Sequence, residues 1–187
     1  MIRLISKFFF IYLWGWRITG KVPNDKKIIA IVAPHTSWHD LFVGIFTRSI
    51  LKMESRIKFL GKEELFKIPL IGWLLRQLGG YPVVRNKQLN SVDSVVKIFE
   101  KNENFFLTLA PEGTRAKVNK LKTGFYYIAL KAKIPILLVG FCFKKRIVHF
   151  GKKFNPSGNI DKDMKMILNF FGSYYGKVPS KGLNHQL

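Results

Sequence analysis

Ile28-Ile29-Ala30-Ile31-Val32-Ala33-Pro34-His35-Thr36-Ser37-Trp38-His39-Asp40-Leu41-Phe42-Val43-Gly44-Ile45-Phe46 holds, in one passage, an apolar run, a polar break and the beginning of a second apolar pattern. The run at 28–33 predicts a buried strand, and the residues from Leu41 onward begin a helix reaching about Met53. His35 and Asp40 therefore sit at a strand-to-helix junction. With His35 in the loop and Asp40 in the first helical turn, the carboxylate can fold back onto one imidazole nitrogen and fix its tautomer. It then stabilises the cation formed when the other nitrogen accepts a proton, which is the layout of a general base. The same residues also read as a helix start, with Ser37 as cap and Asp40, three residues on, as the acidic half of a capping arrangement. Taken alone, they leave both readings open.

Working outward, strands are predicted at 57–60, at the end of Gly79-Gly80-Tyr81-Pro82-Val83-Val84-Arg85, at 105–110, at 136–141 and at 146–150. Helices are predicted from Pro69 to Leu78, around Val92, Val95, Val96 and Phe99, from Gly124 to Lys133, and from Asp161 to Tyr175. This alternation argues for an α/β fold in layers, with helices covering a largely parallel sheet and candidate site residues at C-terminal strand ends. At 187 residues the chain is long enough for one core without disulfides or metal. It divides into an N-terminal membrane-associating helix (1–19), a single domain (20–175) and a C-terminal tail (176–187) expected to be loose.

Thirty-two Lys and Arg against eleven Asp and Glu give a formal charge of +21. So basic a surface implies an anionic partner: nucleic acid, an anionic bilayer or negatively charged substrates. Seventeen Phe gathered in apolar runs favour burial or lipid contact over nucleic acid. The single cysteine, Cys142, excludes an intrachain disulfide and a multi-cysteine metal cluster. Its place inside a predicted strand suits packing better than a reactive thiol. No Gly-x-Ser-x-Gly elbow supplies a serine nucleophile. His35 and His39, four apart, have neither the glutamate nor the third ligand of a helical zinc site, so no metal is expected.

Between Lys7 and Arg17 lie nine uncharged residues. As helix they reach about 14 Å, against a hydrocarbon core of roughly 30 Å, so the segment is too short to span. Phe8, Phe9, Tyr12, Trp14 and Trp16 suit a helix lying in the bilayer surface, with Arg3, Lys7 and Arg17 at headgroup level. Periodicity does not separate lipid contact from packing on the protein's own core, and both remain open here.

Three junctions combine: the HxxxxD spacing of His35 and Asp40, the Gly-Tyr-Pro-Val-Val-Arg run ending at Arg85, and Pro111-Glu112-Gly113-Thr114-Arg115. In order and approximate spacing they resemble the glycerolipid acyltransferases, including the 1-acylglycerol-3-phosphate acyltransferases, from about Trp16 to Phe143. The resemblance implies that His35 deprotonates an acceptor hydroxyl while Asp40 orients it. It also implies that Arg85, Glu112, Gly113, Thr114 and Arg115 bind the polar, usually phosphorylated acceptor. Guanidinium forks suit phosphate, and a glycine lets backbone approach a ligand. Pro34 replaces the family's common asparagine, Val84 stands where many relatives have Asp or Asn, and Leu138 where many have a second proline.

The implied reaction moves an acyl chain from a thioester, acyl-CoA or acyl carrier protein, to a lysolipid hydroxyl without a covalent enzyme intermediate. The implied acceptor is 1-acylglycerol-3-phosphate or another lysolipid such as a lyso-aminolipid. No further cofactor and no nucleic acid is called for. The expected place is the cytoplasmic face of the inner membrane, held peripherally or monotopically on an anionic surface. A reading of another class remains: a non-catalytic basic protein binding membrane or nucleic acid. Charge alone accounts for that reading, but not for a His, an Asp and two Arg at successive strand ends.

Overall fold

In the computed structural model, which describes residues 2–83 and 91–183, the chain starts with helix α1 (Ile2–Lys7), continued by π-helical turns over Phe8–Leu13. There follow strand β1 (Arg17–Gly20), strand β2 (Lys27–Ala33), helix α2 (His39–Ile50) and strand β3 (Ile57–Lys62). Next come helices α3 (Glu63–Lys67) and α4 (Pro69–Gln77), strand β4 (Gly80–Val83), helix α5 (Ser91–Lys101) and strand β5 (Phe105–Leu109). Helix α6 (Gly124–Ala132), strands β6 (Ile136–Cys142) and β7 (Ile147–Phe154), and helix α7 (Ile160–Phe171) complete the set.

The described residues build a seven-stranded sheet in the order β1-β7-β6-β2-β5-β3-β4, parallel except for β6 against β7. β2 lies at the centre, and its apolar run is continuous because both faces are covered. Ile28 and Ala30 face Val43 and Ile50 of α2 together with Phe10, Trp16 and Phe106. Ile29 and Ile31 face the opposite way, toward Val95 and Phe99 of α5, Phe125 and Ile128 of α6, and Ile167 and Phe171 of α7. The layered α/β architecture expected from the strand–helix alternation is the one observed.

The structure changes the reading of both termini. The N-terminal segment is not a separate layer, since Phe10 is fully buried and stacks on Trp16, while the Arg3 side chain donates to the Ile50 carbonyl at 3.2 Å. Trp16, expected at the membrane, is instead core: it is 5% exposed and packs edge-on against Phe143. Phe8, Phe9, Tyr12 and Trp14 do face outward. Four residues on, Gly20 ends a short edge strand that the sequence reading passed over. Its φ of +82° and its closeness to the Phe150 carbonyl leave no room for a Cβ.

The tail is likewise docked rather than loose as far as Leu183, which is buried. Phe143 N–H donates to the Tyr175 carbonyl, and Val178 N–H to Thr36 Oγ1. A Cβ on Gly176 would lie 2.4 Å from that same hydroxyl, so only glycine permits so close an approach to the histidine loop.

Candidate active site

β2 and β5 are hydrogen-bonded neighbours running the same way, with Ile31 opposite Leu109. The loops that follow them therefore leave the sheet at one edge, and His35 meets Glu112 although 77 positions separate them in sequence. This is the C-terminal edge, where open parallel sheets present strand ends and helix starts to a ligand.

Asp40, in the first turn of α2, turns its carboxylate back over the loop. Its Oδ2 lies 2.9 Å from His35 Nδ1 and accepts from Thr36 N–H at 2.9 Å and Ser37 N–H at 3.0 Å. An oxygen already accepting from two backbone donors calls for a proton on Nδ1, which leaves Nε2 as the basic nitrogen. The Asp40 side chain is 3% exposed and that of His35 is 26% exposed, so the base is reachable while its orienting partner is shielded. The two readings of this stretch merge, because one carboxylate organises the loop before the helix and aims the imidazole. Ser37 plays the smaller part, its Oγ accepting from His39 N–H at 3.3 Å and meeting His39 Nδ1 at 2.8 Å.

Glu112, assigned to the acceptor by the family resemblance, turns inward to the histidine loop. It is 2% exposed, and its Oε1 accepts the His35 N–H at 2.8 Å, so it holds the histidine loop from beneath. Burial pushes its carboxyl above the usual range, with the His35 N–H bond opposing. Glu112 Oε2 and Asp40 Oδ1 are buried without a protein partner.

Beyond Glu112 the chain turns outward. Gly113 has φ +66°, a conformation that favours glycine, and its N–H donates to the Ala110 carbonyl. Thr114 and Arg115 are exposed on the loop that follows, where Thr114 Oγ1 accepts from Ala116 N–H. Arg85, the remaining residue assigned to the acceptor, lies outside the described residues. Thus His35, Asp40 and Glu112 form one hydrogen-bonded group, and Gly113, Thr114 and Arg115 border it on the β5 side.

Sequence reasoning missed the contribution of the tail. Thr36 takes the Val178 N–H as well as donating its own N–H to Asp40, so the C-terminal segment is tied to the histidine loop. A glycine at 176 was the available signal, but nothing local in the sequence points it toward Thr36.

An imidazole held by a buried carboxylate, with an exposed arginine on the adjoining loop, is an arrangement chemically able to accept a proton next to an anionic group. The chain belongs to the Acyltransferase family, whose model matches residues 16–141 and so takes in both loops. It is similar to the 1-acyl-sn-glycerol-3-phosphate acyltransferase of Streptococcus pneumoniae, being 27% identical over an alignment that covers 82% of this chain and 68% of that protein. It is also similar to a chloroplastic 1-acyl-sn-glycerol-3-phosphate acyltransferase of Arabidopsis thaliana, at 33% identity over 58% of this chain and 32% of that protein. A third relative is the lyso-ornithine lipid O-acyltransferase of Rhodobacter capsulatus, at 29% identity over 54% of this chain and 34% of that protein. The chain spans about two thirds of the first of these and about one third of the other two. No solved structure matches it.

Proposed function

We propose that the protein transfers a fatty acyl chain from an acyl thioester, acyl-CoA or acyl carrier protein, to the hydroxyl of a lysophospholipid, foremost 1-acylglycerol-3-phosphate. The observation that carries this reading is the 2.9 Å contact of His35 Nδ1 with an Asp40 oxygen held by two backbone N–H groups. His35 Nε2 takes the hydroxyl proton as the oxygen attacks the thioester carbonyl. The C–S bond breaks as the tetrahedral oxyanion collapses, and the proton passes to the departing thiolate, giving ester and thiol. Asp40 stabilises the imidazolium in between. Arg115, exposed on the loop after Glu112, suits the acceptor's phosphate, and the family pattern gives Arg85 the same role.

A lyso-aminolipid is the second acceptor to consider, because the Rhodobacter capsulatus relative is named for one. The decisive experiment is thiol release from palmitoyl-CoA in the presence of lysophosphatidate or lyso-ornithine lipid. Release that depends on lysophosphatidate, with phosphatidate as product, is expected. Release with neither lipid, for a folded protein, would sink the enzymatic reading.

Attachment to the cytoplasmic face of an anionic membrane belongs to the same proposal. Among the described residues no helix is long and apolar enough to cross a membrane. Phe8 is 58% exposed and Tyr12 78% exposed on a segment whose other side is core, so the outward apolar side chains are free to enter an interface. Phe8→Ser with Tyr12→Ser should weaken binding to vesicles containing phosphatidylglycerol by about tenfold or more, from the apolar surface withdrawn. Undiminished binding in sedimentation would move the anchor elsewhere.

A further inference from the structure

The β5 side of the histidine loop carries Arg115; the opposite side carries a cleft of about 700 Å³ that no step so far uses. It lies at the same edge of the sheet as His35. Ala33 of β2 is opposite Gly140 of the parallel β6, and β6 turns back into β7 just beyond Cys142. His39 and Val43 of α2 line it, and His39 follows His35 by four positions. Trp16 and Phe143 give it an apolar wall, and Lys144, Arg146 and Lys177 stand along it on the turn and the tail.

Two of these cations have defined partners. Arg146 Nη1 donates to the Trp14 carbonyl at 3.1 Å, and Lys144 Nζ sits 5.2 Å from the centre of the Tyr175 ring. Lys177 follows Gly176, the residue pressed against Thr36. No carboxylate is among the described residues that line the cleft. A ligand matching this layout is a narrow chain, largely apolar along its length, with an anionic group at one end and its reactive atom at the other.

We propose that this cleft is the donor site and that it takes the phosphopantetheine arm shared by acyl-CoA and acyl carrier protein. The inference rests on the acyltransfer reading above. The arm's phosphate meets Lys144, Arg146 and Lys177, its methylene and gem-dimethyl groups lie on Trp16 and Phe143, and its thioester reaches the His35 loop past His39. Donor and acceptor then approach the base from opposite sides of β2, and each phosphate has its own cations.

The test is the double charge reversal Lys144→Glu with Lys177→Glu, both exposed positions, checked for folding by thermal unfolding. Three donors are compared: palmitoyl-CoA, palmitoyl-acyl carrier protein and palmitoyl-pantetheine, which lacks the phosphate. KM should rise at least about tenfold for a phosphate-bearing donor, as expected for losing charge-assisted contacts. KM for palmitoyl-pantetheine and for lysophosphatidate should stay unchanged. A rise with palmitoyl-CoA alone, or with the carrier-protein thioester alone, supports the site and identifies the source of the arm. A rise in the lysophosphatidate KM instead, or no change with any donor, overturns it.

Calorimetric titration with palmitoyl-CoA separates this from the acceptor question. Wild-type binding that the double variant loses, in a protein that acylates no lysolipid, would keep the donor site and refute the acceptor. Equal binding by both proteins, with transfer to lysophosphatidate intact, would refute the donor site and leave the enzyme reading standing.

Discussion

The loops after β2 and β5 leave adjacent strands at the same edge of the sheet, yet their polar groups have opposite fates. In the first, Asp40 Oδ2 alone gathers Thr36 N–H, Ser37 N–H and His35 Nδ1, and the carboxylate is shielded from water. In the second, Glu112 is drawn under the first loop while Gly113, Thr114 and Arg115 are left to solvent. One loop turns its polar groups onto itself; the other turns most of its own to solvent. Under the proposed function, the difference separates chemistry from recognition. Perturbing the first loop should change turnover at saturating substrate, whereas perturbing the exposed part of the second should change the acceptor concentration required.

The sharpest way to break that contrast is His35→Ala, which should lower turnover by roughly 10² to 10⁴, the usual reach of a general base, with little change in melting temperature. A folded, fully active variant would end the proposed mechanism. Asp40→Asn keeps an oxygen for the Thr36 and Ser37 N–H groups but does not stabilise an imidazolium. Its turnover should fall toward the lower end of the same range, about 10²-fold. Restoration of the rate at higher pH would argue against a tautomer and charge defect.

Arg115→Ala tests the other half of the comparison. Loss of a charge-assisted bond to phosphate should raise the KM for lysophosphatidate by about ten- to a hundredfold while turnover holds. Lysine should restore only part of this, since it is not a planar fork. Equal loss with a phosphate-free acceptor would remove the phosphate from the explanation.

Glu112→Gln gives a smaller effect, read in stability. Burial raises the Glu112 carboxyl in the folded protein, so the folded state holds that proton more tightly than the unfolded chain. The stability it contributes is full below the unfolded value, about 4.5, and is lost as pH rises through the folded value. The glutamine oxygen can still accept the His35 N–H and does not titrate. In urea unfolding between about pH 5 and 8, wild type should therefore lose stability relative to the variant. Parallel profiles would show that this carboxyl is not displaced by its burial. Smallest of all, Ser37→Ala should cost at most about 1 kcal/mol in the same assay, with turnover unchanged.

How much of this was legible in the sequence differs between the two loops in the same way. The His35–Asp40 contact spans five positions, and local helix geometry brings a first-turn carboxylate back onto a loop residue, so residue types and spacing suffice to anticipate it. That Glu112 would meet His35, 77 positions away, depends on β5 being inserted beside β2. Trp14 and Trp16 show the same limit: two residues apart and chemically alike, one is half-exposed and the other lies in the core. Apolar character says that a side chain leaves water, not whether protein or lipid receives it.

By itself, then, the sequence determined the strand–helix alternation, the central buried strand with its histidine junction, and the basic surface, because these depend on periodicity, turn chemistry and composition. Only the tertiary structure decided that Glu112 bonds the histidine loop, that Gly176 and Val178 meet Thr36, and that Lys144, Arg146 and Lys177 border one cleft. Each of these joins segments far apart in the chain, and the sheet order that brings them together is set by how both faces of β2 are buried at once.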